Sequence, residues 1–165
     1  MKRLLLVLII ILGMALMTSC SKDDDNGTNP TPPADPWVGT WLSADANVAP
    51  ILVALFNYDS VRVELLENMV VKTHFHVKDG AWATAEGTYS VTKSASGDIH
   101  SVQFVYAAFS QAGIMQVTDG TPDTMKLEVV QTVPDIGAVP RTPESGFGSD
   151  PALATMNIQN YVRLE

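Results

Sequence analysis

Residues 58–78, YDSVRVELLENMVVKTHFHVK, decide the fold. Apolar residues or threonine occupy every second position in each half of this stretch, at 61, 63 and 65 and again at 71, 73, 75 and 77. Charged residues or histidine lie between them. A period of two is typical of antiparallel strands that have one buried and one solvated face. The stretch therefore predicts two half-buried β-strands.

The same alternation recurs along the rest of the chain, and turn-forming residues separate the repeats. Turns are predicted at Asp79-Gly80, Ser96-Gly97-Asp98, Ala112-Gly113 and Asp119-Gly120. In the last strand, the apolar Ile158, Val162 and Leu164 alternate with Gln159, Tyr161 and Arg163. Such regular, short spacing predicts a barrel or a sandwich. We expect about eight strands, near 38–44, 60–67, 69–78, 81–92, 99–109, 113–118, 124–133 and 154–164.

Two segments lack this alternation. Residues 47–58, NVAPILVALFNY, predict one short helix, with Asn47 or Val48 as its cap and Pro50 in its first turn. The same run is also compatible with a buried strand. Residues 134–151, PDIGAVPRTPESGFGSDP, are rich in proline and glycine and predict a long loop.

The N-terminus has the organisation of a secretory signal. Lys2-Arg3 precede an apolar run up to Met17, and small residues lead to Cys20. The run is too short to span a bilayer. It resembles a bacterial lipoprotein signal, which implies that residues 1–19 are removed and that Cys20 carries the lipid. Because Cys20 is the only cysteine, disulfides and thiolate sites are excluded from the folded domain.

Residues 20–36 predict an acidic, proline-rich linker that cannot bury enough surface to fold. Ser21-Lys22-Asp23-Asp24-Asp25 resembles the export tag of surface lipoproteins in Bacteroidetes-type bacteria, and this implies anchoring in the outer membrane with exposure at the cell surface. The whole chain of 165 residues has a net charge of −8. Such a charge disfavours binding to nucleic acid.

Residues 37–165 open with Trp37-Val38-Gly39-Thr40-Trp41. Gly39-Thr40-Trp41 matches the G-x-W signature of lipocalins, and Arg163 lies on the predicted terminal strand. The domain thus resembles the lipocalin-like (calycin) domains of Bacteroidetes-type lipoproteins. The resemblance implies an all-β, antiparallel, up-and-down barrel of about eight strands. It also implies a barrel signature of Gly39, Trp41 and Arg163, in which the arginine lies across the tryptophan.

A barrel of eight strands can enclose one small ligand. Ala81, Ala83, Ala85 and Gly87 share one strand face and are expected to leave room inside. We therefore predict a membrane-anchored lipoprotein that binds a small apolar molecule or lipid. The alternative is a filled barrel that acts as a structural or interaction subunit of a surface complex, using the 134–151 loop and Phe147. The candidate ligand-binding residues are Phe56, Phe75, Ala83, Ala85, Phe104 and Tyr106.

Metal binding and catalysis have little support in the sequence. His74 and His76 share a strand face and would need His100 or Glu86 to complete a metal site. Lys72 and Lys78 lie on the same face, so a solvated strand face is the favoured interpretation and no metal is expected. The sequence contains no G-x-S-x-G, P-loop, H-E-x-x-H or dinucleotide-binding motif, and we predict neither an enzyme nor a cofactor. Asp59-Ser60-Val61 and Asp123-Thr124-Met125 resemble short O-glycosylation sequences, and modification of Ser60 or Thr124 is left open.

Overall fold

The computed structural model describes residues 34–164. Eight antiparallel strands follow one another around a closed barrel, and the last strand pairs with the first. This confirms the predicted all-β, up-and-down barrel. The strands are β1 (Gly39–Ala44), β2 (Tyr58–Leu65), β3 (Val70–Val77), β4 (Trp82–Thr92), β5 (Ile99–Tyr106), β6 (Ser110–Thr118), β7 (Thr124–Val133) and β8 (Ile158–Leu164).

One α-helix, α1 (Pro50–Phe56), lies between β1 and β2 and confirms the predicted helix. Pro50 starts the helix, where its fixed φ and missing N–H are tolerated. The residue before it, Ala49, stands at the N-cap, so the prediction of Asn47 or Val48 as the cap was wrong. Residues Asp45–Asn47 form a separate 3₁₀ turn instead.

The two ends of the barrel differ. At the closed end, β1 begins and β2 ends, and Gly39 pairs with Leu65. At the other end, which we call the mouth, α1 joins β1 to β2. Large side chains pack inside the barrel and exclude water from most of its length. The buried interior residues include Trp41, Val61, Val63, Leu65, Val71, Tyr89, Val102, Phe104, Met115, Met125, Leu127 and Tyr161.

Some strand boundaries differ from the predictions. β5 ends at Tyr106 rather than at 109, and β6 begins at Ser110 rather than at 113. Gly113 therefore lies inside β6 and not in a turn. A Cβ atom there would collide with the Glu128 carbonyl oxygen of the neighbouring strand. At the end of the chain, Ala154–Asn157 form a 3₁₀ turn, so β8 is shorter than predicted.

The inward face of β8 is the opposite of the one that its apolar residues suggested. Gln159 and Tyr161 are buried, whereas Ile158 and Val162 are only half-buried and Leu164 is exposed. Because side chains alternate along a strand, Gln159 and Tyr161 share the inward face with each other. Polar atoms of β8 are thereby brought into the interior.

The hairpin of β3 and β4 is longer than the neighbouring wall. β4 pairs with β3 along Trp82–Thr88, but its pairing with β5 starts only at Gly87. Residues 82–86 therefore extend past β5 towards the mouth. We call this segment the overhang.

Trp41 and Arg163 meet at the closed end. The Arg163 Cζ atom lies 4.2 Å from the centroid of the Trp41 ring. The Trp41 indole N–H donates to the Trp37 carbonyl oxygen at 2.8 Å. The guanidinium donates to the Val38 carbonyl oxygen at 2.7 Å and also to that of Pro36. Arg163 therefore links residues 36–38, which precede β1, to the last strand.

Asp123, in the turn between β6 and β7, holds this arginine in place. The Arg163 Nε–H donates to Asp123 Oδ2 at 2.9 Å, and the Gly120 backbone N–H donates to Oδ1 of the same carboxylate at 2.9 Å. Together these bonds link three elements of the closed end: the start of the domain, the β6–β7 turn and β8.

Asp35, within the predicted linker, contacts the barrel domain. The Asp35 carboxylate lies 2.8 Å from Lys93 Nζ, and its carbonyl oxygen accepts from the Val38 N–H. The predicted signal peptide 1–19, Cys20 and most of the 20–36 linker lie outside the described residues.

The stack of Arg163 on Trp41 predicts energetic coupling between the two side chains. In a double-mutant cycle of Trp41→Ala and Arg163→Ala, we expect a coupling of about 0.5–2 kcal/mol, the range that spans exposed and desolvated cation–π pairs. Urea denaturation of the four proteins measures it. A matched cycle of Arg163→Ala with Val105→Ala, which lies exposed on the outer face of β5, should be additive. Additivity in both cycles would contradict the coupling.

A pH-dependent contribution is expected from Asp123. The Gly120 N–H and the Arg163 guanidinium lower the pKa of this carboxyl below its usual 3.8. A lowered pKa in the folded state stabilises the protein above the unfolded value, and that stability is lost as the pH falls through the folded value. Asp123→Asn should therefore melt at a lower temperature than wild type at neutral pH. The difference should shrink as the pH falls below 3.8. A difference that is constant with pH would show that the charge does not matter.

Candidate functional site

A chamber of about 90 Å³ lies inside the barrel near the mouth. Apolar walls come from β2, β5 and β7, including Val61, Phe104 and Leu127. We call this space the inner chamber. It is the part of the interior that the large side chains of the closed end leave unfilled. Its polar lining residues are Thr73, Tyr106, Gln111, Asn157, Gln159 and Tyr161.

A larger pocket of about 380 Å³ lies at the mouth. This volume falls within the range of about 300–1,000 Å³ that small-molecule sites occupy. We call it the mouth pocket. Apolar side chains of α1, the adjacent strands and the 134–151 loop form most of its wall. They include Ile51, Leu52, Leu55, Phe56, Tyr58, Phe75, Phe109, Ile136, Ala138 and Leu153.

The two spaces are neighbours, since five residues line both of them. We call these residues the neck: Leu52, Phe75, Gln111, Val129 and Asn157. Leu52 lies on the inner side of α1 and packs against the core. The Asn157 side-chain amide donates to the Val129 carbonyl oxygen at 2.7 Å, which fixes one side of the neck.

Aromatic stacking positions the wall of the mouth pocket. The Phe56 and Tyr58 ring centroids lie 5.4 Å apart, and those of Tyr58 and Phe75 lie 5.3 Å apart. Asn57, which ends α1, adopts φ 56°, and this left-handed conformation turns the chain from the helix into β2. The turn places aromatic rings from α1, β2 and β3 in one row.

Two tyrosine hydroxyls in the inner chamber stay protonated at neutral pH. Burial raises the pKa of Tyr106 to about 12, and it raises the pKa of Tyr161 as well. The Tyr106 hydroxyl lies 2.7 Å from Thr73 Oγ1. The chamber therefore offers neutral hydroxyl groups and amides rather than charges.

The structure separates the predicted ligand-binding residues. Phe56 and Phe75 line the mouth pocket, and Phe75 also lines the inner chamber. Phe104 and Tyr106 line the inner chamber. Ala83 and Ala85 line neither space: Ala83 is exposed on the overhang, and Ala85 is half-buried against the core.

Sequence reasoning missed the amide side chains of the site. Gln111, Asn157 and Gln159 lie among apolar walls. The alternation of the last predicted strand placed Asn157 and Gln159 on its outward face, and Gln111 fell between two predicted strands. The inward position of Gln159 could have been predicted from the sequence. If Arg163 lies across Trp41, the alternation of β8 places Tyr161 and Gln159 on the same inward face.

The two histidines of β3 bind different carboxylates. His74 Nε2 lies 3.0 Å from Glu64 Oε1, and His76 Nδ1 lies 2.6 Å from Asp59 Oδ1. The hydrogen bond from His76 lowers the pKa of Asp59. Within residues 34–164, no group of three or more His, Cys, Asp and Glu side chains is arranged to hold a metal ion.

The other two suggested metal ligands are engaged elsewhere. His100 packs edge-on against Trp37, with 5.6 Å between the ring centroids. Glu86 Oε2 lies 3.7 Å from Lys72 Nζ. His74, His76, His100 and Glu86 are therefore each engaged in a separate contact.

The 134–151 loop follows the outer wall of the barrel. Its Gly148 backbone N–H donates to Glu128 Oε2 at 2.8 Å, and the Glu128 side chain points outward from β7 yet is only 2% exposed. Phe147 is half-buried, with Lys126 Nζ 5.3 Å from its ring centroid. Ile136 and Val139, in contrast, are each 63% exposed.

Both aspartates of the glycosylation-like sequences make structural contacts. Asp59 binds His76 and Asp123 binds Arg163. The hydroxyl residues that follow them differ in access, since Ser60 is half-buried and Thr124 is exposed.

No helix in the described part of the chain has the length and apolar character needed to cross a membrane. No family model matches the chain, and no significant match was found among curated proteins or solved structures. The assignment of function therefore depends on the geometry of the barrel and its mouth.

Proposed function

We propose that this chain is a lipocalin-like lipoprotein of the cell envelope whose barrel binds a small apolar molecule or lipid. The mouth pocket is the observation that supports this proposal. It combines a volume suited to a small ligand with a largely apolar wall. The eight-stranded barrel holds that wall in place.

The exposure of the pocket wall also favours a ligand. Leu55 is 67% exposed and Phe56 is 53% exposed, although both line the mouth pocket. Covering apolar surface contributes roughly 25 cal/mol per Å². A ligand seated against these side chains would be stabilised by the area that it removes from water.

The anchor belongs to the same proposal. Cys20 would carry lipid chains that hold the protein on the outer membrane, and two or three chains give stable anchoring. In the described domain, Pro36 and Val38 are fixed to Arg163 at the closed end. A tether that precedes them would join the domain at the end opposite the mouth, which leaves the mouth free to receive a ligand.

A second candidate function is a structural or interaction subunit with a filled barrel. The exposed Ile136 and Val139 on the 134–151 loop favour it, since apolar groups on a fixed loop can contact a partner. Ile136 also lines the mouth pocket. The following experiment separates the two functions.

Filling the neck should abolish ligand uptake. Leu52→Trp places an indole where Leu52 lines both the chamber and the pocket. We expect the affinity for the fluorescent apolar probe N-phenylnaphthylamine to fall at least about tenfold, which corresponds to roughly 1.4 kcal/mol. Fluorescence titration measures this change.

Val53→Trp is the matched control, because Val53 is the next residue of α1, is 43% exposed and lines neither space. It should leave probe binding unchanged. Equal effects of the two variants, or no probe binding by the wild type, would contradict the carrier function and favour the interaction subunit.

Replacing Cys20 tests the anchor. Cys20→Ser lacks the thiol that would accept the lipid, so the variant should incorporate no labelled palmitate and should leave the membrane fraction. Ser21→Ala, the neighbouring substitution, should keep both properties. Palmitate labelling and membrane association of the Cys20→Ser protein would refute lipidation at this residue.

A further inference from the structure

We propose that the ligand enters head first, with an uncharged polar group in the inner chamber and its apolar part in the mouth pocket. The ligand class is therefore a neutral amphiphile, such as a long-chain alcohol, ester or amide. This inference rests on the proposed function and adds the chemistry and orientation of the ligand.

Gln159 carries the argument. Its side chain is 6% exposed and lines the inner chamber, and its Nε2 atom has no hydrogen-bond partner within the described residues. A buried donor without a partner destabilises a folded protein, so such groups are rare. A ligand oxygen in the chamber would satisfy this donor.

The absence of charge in the site selects a neutral head group. Among residues 34–164, no Asp, Glu, Lys, Arg or His lines either the inner chamber or the mouth pocket. An ionised carboxylate would lose its hydration there without gaining an opposite charge. The site therefore disfavours the anion of a fatty acid.

The sizes of the two spaces set the orientation. A water molecule needs about 10–15 Å³ of such volume, so the inner chamber of about 90 Å³ holds a group of a few heavy atoms. The apolar remainder fits the mouth pocket, which is about four times larger. In this orientation the ligand passes the neck residues that line both spaces.

Three eight-carbon probes test the head group: octanol, octanoate at neutral pH and octane. Isothermal titration of the wild-type domain should show octanol binding at least about tenfold more tightly than octanoate. On addition of octanol, the side-chain amide resonances of Gln159 should shift in a nitrogen–proton NMR spectrum. Octane should leave these resonances nearly unchanged.

Gln159→Leu removes the donor with little change in size. We expect octanol affinity to fall about tenfold and octane affinity to change less than about twofold. The melting temperature should stay the same or rise, because the unpartnered amide supports no contact in the fold. Gln103→Leu is the matched control, since Gln103 is exposed on the outer wall, and it should alter neither affinity.

The outcomes distinguish this inference from the proposed function. Octanoate binding as tightly as octanol would refute the neutral head group. An equal loss of octanol and octane affinity in Gln159→Leu, or no loss in either, would refute the head-first orientation. The Gln159 amide would then donate to a bound water molecule rather than to the ligand. If none of the probes binds the wild-type domain, the carrier function itself fails.

Discussion

The guanidinium of Arg163 is where the first and last strands of this barrel are fixed together. The seam between β1 and β8 has three paired positions, Thr40–Leu42 with Val162–Leu164, whereas β1 and β2 pair at six. Such a short seam needs side-chain support. Arg163 supplies it by stacking on Trp41 and by binding Asp123 and the carbonyl oxygen of Val38. Without closure, the interior would have no continuous wall, and neither chamber nor pocket would exist.

Side chains fill the interior at the closed end and leave space towards the mouth. This difference in packing along the barrel creates the candidate site. Trp41 and Leu65 are fully buried at the closed end, whereas Phe75 near the mouth is half-buried. Close packing at the closed end makes the wall rigid, and the unfilled volume towards the mouth forms the chamber and pocket of the candidate site. The polar residues at the boundary, Gln159 among them, cannot contribute to apolar packing. Their position is easier to explain through a ligand than through stability.

Alternation in the sequence was sufficient to predict about eight strands, because burial on one face imposes a period of two. The up-and-down order of the barrel was implied by the lipocalin resemblance, and the helix after β1 was predicted from a segment without alternation that has Pro50 in its first turn. The sequence pattern gave wrong predictions where a residue's position depends on contacts with residues that are distant in sequence. Gly113 reads as a turn residue, yet it serves the close approach of β6 and β7. The inward face of β8 was misjudged because Gln159 is polar. Glu128 gave no signal of its role, since anchoring Gly148 depends on a loop that lies far from it in sequence.

The overhang is one of several stretches along which a strand of the closed sheet has a backbone partner on one side only. Closed barrels resist edge-to-edge association because every strand has two partners, but residues 82–86 have a backbone partner on one side only in the described structure. Segments that template amyloid-like stacking are about six or seven residues long and carry little charge. The overhang has five residues and ends in Glu86. It is therefore shorter than such segments and ends in a charge, and both features disfavour the addition of a second chain as a further strand.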